Sequence, residues 1–159
     1  MLSYPPPRFI RMSARARQKR YTYQLIPWHK KGITNLKINN RLQKLRQKLA
    51  EKDIDAIFIS QPENRYYLSG FDGTAGFLLI TLQETILATD FRYIEQVKRQ
   101  APDYKIFQIT SDIVNQFPEL ISGLSLQKLG FEARHITFAM YRQLNDILNK
   151  MPSSLKLVP

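Results

Sequence analysis

The sequence contains no cysteine. That excludes a disulfide scaffold, a zinc finger, an iron–sulfur site and a thiol nucleophile, and it suits a reducing compartment. Long apolar runs are missing as well. The longest, Phe77 to Leu82, covers six residues and includes Thr81. A membrane helix needs about 20 apolar residues, so no membrane association is expected and a cytoplasmic location is. Acids are missing from the first 37 residues, which carry nine Lys and Arg. Histidine occurs only at His29 and His135, so a multi-histidine metal centre has no raw material.

The remaining composition is ordinary. Of the 159 residues, 43% are hydrophobic and 23% charged, which fits one globular domain with an appendage. The net charge of +11 is unevenly spread. Residues 1–53 balance to +12 and residues 54–159 to −1. Residues 1–37 also hold the run Pro5-Pro6-Pro7 and no apolar periodicity, so they are expected to form a basic, disordered leader. Three roles for it stay open. It is a nucleic-acid arm, with Tyr21, Tyr23 and Trp28 stacking on bases, an organelle-targeting peptide, or a segment without function.

Residues 38–159 read as the folded domain. Ile38, Leu42, Leu45 and Leu49 form a helical stripe that Asn39 or Asn40 can cap. A buried strand is expected over residues 55–60. Ser60 and Glu63 have capping-box spacing and Pro62 suits a first helical turn, so a helix over residues 62–68 follows. Residues 76–82 and 85–89 read as a hairpin turning at Gln83-Glu84. Thr89 or Asp90 then caps a helix from Phe91 to Gln100, which Pro102 stops. Residues 104–109 form a strand, residues 113–121 a helix interrupted by Pro118, and residues 128–132 a strand. Thr137 caps a helix with Phe138, Tyr141, Leu144 and Leu148 on one face. Residues 155–158 complete the set. This alternation predicts an α/β domain with a mixed, roughly six-stranded sheet flanked by helices.

The search for chemistry is mostly negative. The loop from Gly70 to Gly76 lacks a Walker lysine and leads into a strand, so it is read as turn glycine and not as a phosphate cradle. Glu132 and His135 are too few for a metal, and His135 is expected to make a local hydrogen bond. Ser69 has no base partner. Asp72 and Asp90 could form an acid–base pair across neighbouring loops, which leaves an independent hydrolase as one reading, beside capping and turn roles for both. No catalytic residue and no metal ligand is assigned.

Three segments taken together carry a resemblance. They are Asn64-Arg-Tyr-Tyr-Leu-Ser-Gly-Phe-Asp-Gly-Thr-Ala-Gly76, Thr89-Asp-Phe-Arg-Tyr-Ile-Glu-Gln96 and Leu129-Gly-Phe-Glu132. This resembles the N-terminal domain of the creatinase, prolidase and aminopeptidase P family, most of all Xaa-Pro aminopeptidase. The resemblance covers residues 36–159. It implies a mixed six-stranded sheet. It also implies that catalysis, by two metal ions (usually manganese) on two Asp, one His and two Glu, belongs to a C-terminal domain absent from this chain. The chain is then expected to hold no cofactor and to be inactive alone. It would support oligomerisation, as a homodimer or with a separate catalytic chain, and wall the site for a proline-containing peptide. Phe71, Asp72, Arg92 and Tyr93 are the candidates for that wall, with Arg65 and Tyr66 behind them. The alternative is a basic nucleic-acid-binding protein that uses its N-terminal arm.

Overall fold

The computed structural model describes residues 28–151 and 155–159, with side chains from residue 36 onward. Tyr21 and Tyr23, and with them the first 27 residues of the expected leader, lie outside the described residues. In chain order the elements are α1 (Trp28–Glu51), β1 (Ala56–Ile59), α2 (Pro62–Ser69), β2 (Phe77–Thr81) and β3 (Thr85–Asp90). A 3₁₀ turn at Phe91–Tyr93 leads into α3 (Ile94–Gln100), and β4 (Lys105–Ile109), α4 (Phe117–Leu120), β5 (Lys128–Phe131), α5 (Phe138–Leu148) and β6 (Lys156–Val158) follow.

The six strands form one sheet in the order β4-β3-β2-β1-β5-β6. β1–β2 and β2–β3 are antiparallel, while β3–β4, β1–β5 and β5–β6 are parallel. The expected mixed sheet and the β2–β3 hairpin are therefore both present. Side chains alternate across the sheet with period two. Leu78, Ile80 and Leu87 meet Ile38 and Leu42 of α1, Leu68 of α2 and Val97 of α3 in one apolar cluster. Phe58, Leu79 and Leu129 meet Phe117 of α4 and Leu144 and Leu148 of α5 in the other. Covering both faces explains why the central strands read as continuous apolar runs.

Local expectations fail where a distant partner takes over. The backbone is helical from Trp28, ten residues ahead of Ile38. The apolar stripe records where α1 meets the sheet and not where α1 begins, so Asn39 and Asn40 lie inside the helix and cap nothing. The capping box at Ser60 and Glu63 does not form. α2 has Gln61 at its N-cap with no side-chain cap. Instead the Glu132 carboxylate accepts the Ser60 and Gln61 N–H groups, each at 2.7 Å. α4 is a single turn that begins just ahead of Pro118. Phe138 is 74% exposed and lies off the buried face of α5. Thr137 does cap α5, accepting the Met140 N–H.

Asp55 ties the two central parallel strands at their starts. Its Oδ2 accepts the Lys128 N–H at 2.8 Å and the Gln127 N–H at 2.7 Å. These bonds hold its pKa below the ordinary 3.8. A carboxyl whose folded-state pKa is lowered contributes stability that is present above its unfolded value and is lost as pH falls through its native value. Thermal unfolding of wild type and Asp55→Asn should therefore differ most near pH 7. The gap should close progressively below about pH 4, and a gap that persists unchanged to pH 2 would contradict this role.

Candidate functional site

The conspicuous polar construction lies in the loop between α2 and β2. α2 stops at Gly70, whose φ of 75° is left-handed and whose N–H donates to Tyr66 O. Glycine adopts this conformation without penalty. The loop then passes over Arg65, which points inward from α2 and is only 3% exposed. Its guanidinium donates to the carbonyls of Gly73 and Gly76. The Phe71 ring lies 5.5 Å from the guanidinium carbon. At Gly73 a Cβ would sit 2.2 Å from the Phe71 ring, so no larger residue fits this close approach.

Arg65 is a buried cation that has no counter-ion among the described residues. Among the described residues no carboxylate forms an ion pair with it, and its Nε has no hydrogen-bond partner. Burial accordingly pushes its pKa down. Two carbonyl dipoles and an aromatic face take the place of the missing carboxylate. Thr89 adds a third tie by donating to Ala75 O at 2.7 Å. Ser69 donates to Arg65 O and accepts from Phe71 N–H, so its hydroxyl is committed to the loop and has no base.

The four candidate wall residues cluster around this loop, but they differ in access. Phe71 is fully buried. It presents no surface, because its ring fills the space under Gly73 and packs edge-on against Tyr93 at 5.9 Å. Its place is support for the loop. Tyr93 is partly buried, and its hydroxyl lies 2.6 Å from Thr74 Oγ1. Asp72 is exposed, and its Oδ1 accepts from Gln96 at 2.6 Å and Gln100 at 2.8 Å. Arg92 grips Asp90 through Nε at 3.0 Å and Nη2 at 2.7 Å. This pairing lowers the Asp90 pKa and raises that of Arg92. Asp72 and Asp90 thus have separate partners, and no hydrogen bond joins them. Tyr66 is exposed on α2.

A second polar cluster sits at the C-terminal ends of the neighbouring parallel strands β1 and β5. Ser60 Oγ lies 2.8 Å from His135 Nδ1 and 3.2 Å from the Glu132 carboxylate, which also accepts from Asn64 Nδ2. The acid touches the serine and not the histidine, which is the wrong order for a relay. His135 does make its expected hydrogen bond, but to a residue 75 positions away. Reading the sequence element by element missed Ser60 here. The signal was the placement of Ser60 just after β1 and of Glu132 just after β5. The dimetal centre does not fit these residues, since among the described residues no three His, Asp or Glu converge.

The model of the creatinase/prolidase N-terminal domain matches residues 41–159. The chain belongs to this family. A relative from Bacillus subtilis described as an uncharacterized peptidase, YqhT, is 29% identical over 119 residues. The match takes 75% of this chain and 33% of that protein, so the creatinase/prolidase-type domain spans about a third of its relative's length. The solved structure of a Bacillus anthracis Xaa-Pro dipeptidase superposes with a TM-score of 0.67 at 30% identity, covering 76% of this chain and 33% of the dipeptidase. A solved Xaa-Pro aminopeptidase chain from Streptococcus pyogenes reaches a TM-score of 0.69 at 29% identity, covering 78% of this chain and 92% of that one. Among the described residues of this family member, no helix is long and apolar enough to cross a membrane.

The two arginines of the loop corner should respond differently to replacement. Arg65→Met keeps the bulk but strands two buried carbonyls, at about 1–3 kcal/mol each. Urea unfolding should therefore show a loss of about 2–6 kcal/mol. Arg92→Met removes an exposed pair and should leave the midpoint nearly unchanged. Equal effects would contradict the clamp.

Proposed function

We propose that this chain is the noncatalytic N-terminal domain of an Xaa-Pro aminopeptidase-type metallopeptidase, a hydrolase whose dimetal centre resides in a separate C-terminal part. The observation that carries this reading is the match of residues 41–159 to a domain that makes up only a third of its longer relatives. The two manganese ions would be held by the catalytic part, so this chain takes no cofactor. Its role is to form a homodimer or join a catalytic chain in the cytoplasm, and to close the peptide site.

The loop corner supplies the surfaces for that closure. Asp72 offers a carboxylate at the loop's outer edge, suited to a free amino terminus. Tyr93 and Thr74 offer a paired hydroxyl edge. Arg92 contributes through Asp90, which holds its guanidinium. Phe71 and Arg65 act from beneath by fixing the backbone.

The chain alone, with added Mn²⁺, should not cleave a short Xaa-Pro peptide. Replacing the N-terminal domain of the Bacillus anthracis dipeptidase by this chain should give metal-dependent cleavage. In that chimera Asp72→Ala should lower kcat/KM about tenfold, equivalent to about 1.4 kcal/mol of transition-state stabilisation. Chelator-sensitive cleavage by the isolated chain, or a chimera indifferent to Asp72→Ala, would contradict the proposal.

A further inference from the structure

A groove of about 410 Å³ runs between α1 and α2 over β1, away from the glycine loop. Its floor is apolar, formed by Leu45, Ile57 and Leu68. One wall is cationic. Arg41, Lys44 and Lys48 line it from α1, at spacings of three and four residues, so they form one stripe along the helix. Their rise spans roughly 10 Å. Tyr67, 52% exposed, forms the opposite wall. Arg41 closes one end by donating to Tyr67 O at 2.7 Å and lying 4.0 Å above its ring. Lys44 and Lys48 are exposed, and among the described residues neither makes a side-chain hydrogen bond or an ion pair. Glu132 lines the far end, but its carboxylate is already taken by Ser60, Gln61 and Asn64.

We propose that this groove receives an acidic amphipathic helix of a partner protein. The floor and the cationic rim call for an occupant that is apolar on one face and acidic beside it. Cations three and four residues apart on α1 match acids three and four residues apart on a helix lying alongside. Docking of a helix between two helices over an apolar floor is a recurrent recognition mode. Charge disfavours the two occupants nearest to hand. An isologous second copy would bring the same cationic stripe against itself. The chain's own residues 1–27 carry Lys and Arg without a single acid. The proposal stands apart from the peptidase reading, because it involves none of the residues of the loop corner.

The test uses the full 159-residue chain and two labelled 18-residue (approximate length, about five helical turns) designed helical peptides. Both carry the same leucine face, flanked by Glu in one and by Lys in the other. Fluorescence anisotropy should show binding of the Glu peptide and not of the Lys peptide. Binding should weaken about tenfold or more in Lys44→Glu/Lys48→Glu, and again between about 50 and 500 mM salt. Both lysines are exposed, so circular dichroism should confirm an unchanged fold. Failure of the Glu peptide to bind, equal binding of the two peptides, or affinity unchanged in the double variant would overturn the proposal. So would self-association of the chain that the same variant abolishes, since the groove would then belong to a second copy.

Discussion

A guanidinium inside a protein must find partners for its charge and its donors. Arg65 finds them in the backbone of its own chain, at the carbonyls of Gly73 and Gly76. Much of the surrounding architecture follows from that choice. Gly73 must lack a side chain because the Phe71 ring occupies the space beneath it. Ser69 must turn back onto the helix to hold the Phe71 N–H. Thr89, at the end of the hairpin, fastens the Ala75 carbonyl, which Arg65 does not reach. Tyr104, buried and pushed above its ordinary pKa by that burial, donates to Leu68 O at 2.9 Å and secures the end of α2. The loop is thus a solid piece of the domain, and Asp72, Thr74 and Tyr93 stand on its rim.

The sheet needs a different fastening. Its central parallel pair, β1 and β5, is joined at one end by Asp55 and at the other by Glu132. Each of these carboxylates takes two backbone N–H groups from across the pair or from the loop that follows it. Acids placed this way supply acceptors where the ladder runs out, so a short parallel pair, with 3 registered partners, can hold in the interior of the sheet. Glu132, which also lines the groove beside α1, is spent in this way, and among the described residues Lys44 and Lys48 make no ion pair.

The sequence was most informative where structure is local and periodic. The spacing of Ile38, Leu42, Leu45 and Leu49 located the contact face of α1, and the apolar runs around Gln83-Glu84 located the hairpin. Turn and cap chemistry at Pro62, Pro102 and Thr137 placed element ends within a residue or two. Sequence reasoning went astray where partners are remote. Ser60 and Glu63 have the right spacing for a capping box, yet a carboxylate some 70 residues on competes for the same N–H and wins, because it can reach two amides at once. Arg65 drew little notice because nothing in its neighbours shows that α2 will aim it inward. Phe71 is a wall candidate by resemblance alone, and its ring is instead buried beside the Arg65 guanidinium.

The central claim is that the buried arginine makes the loop rigid. Backbone ¹⁵N relaxation of residues 73, 74, 75 and 76 tests it most directly. Order parameters near about 0.85 in wild type, falling below about 0.6 in Arg65→Met while those of the unrelated turn at Gly123 stay unchanged, are the predicted result. A loop already mobile in wild type, or equally rigid in the variant, would contradict it.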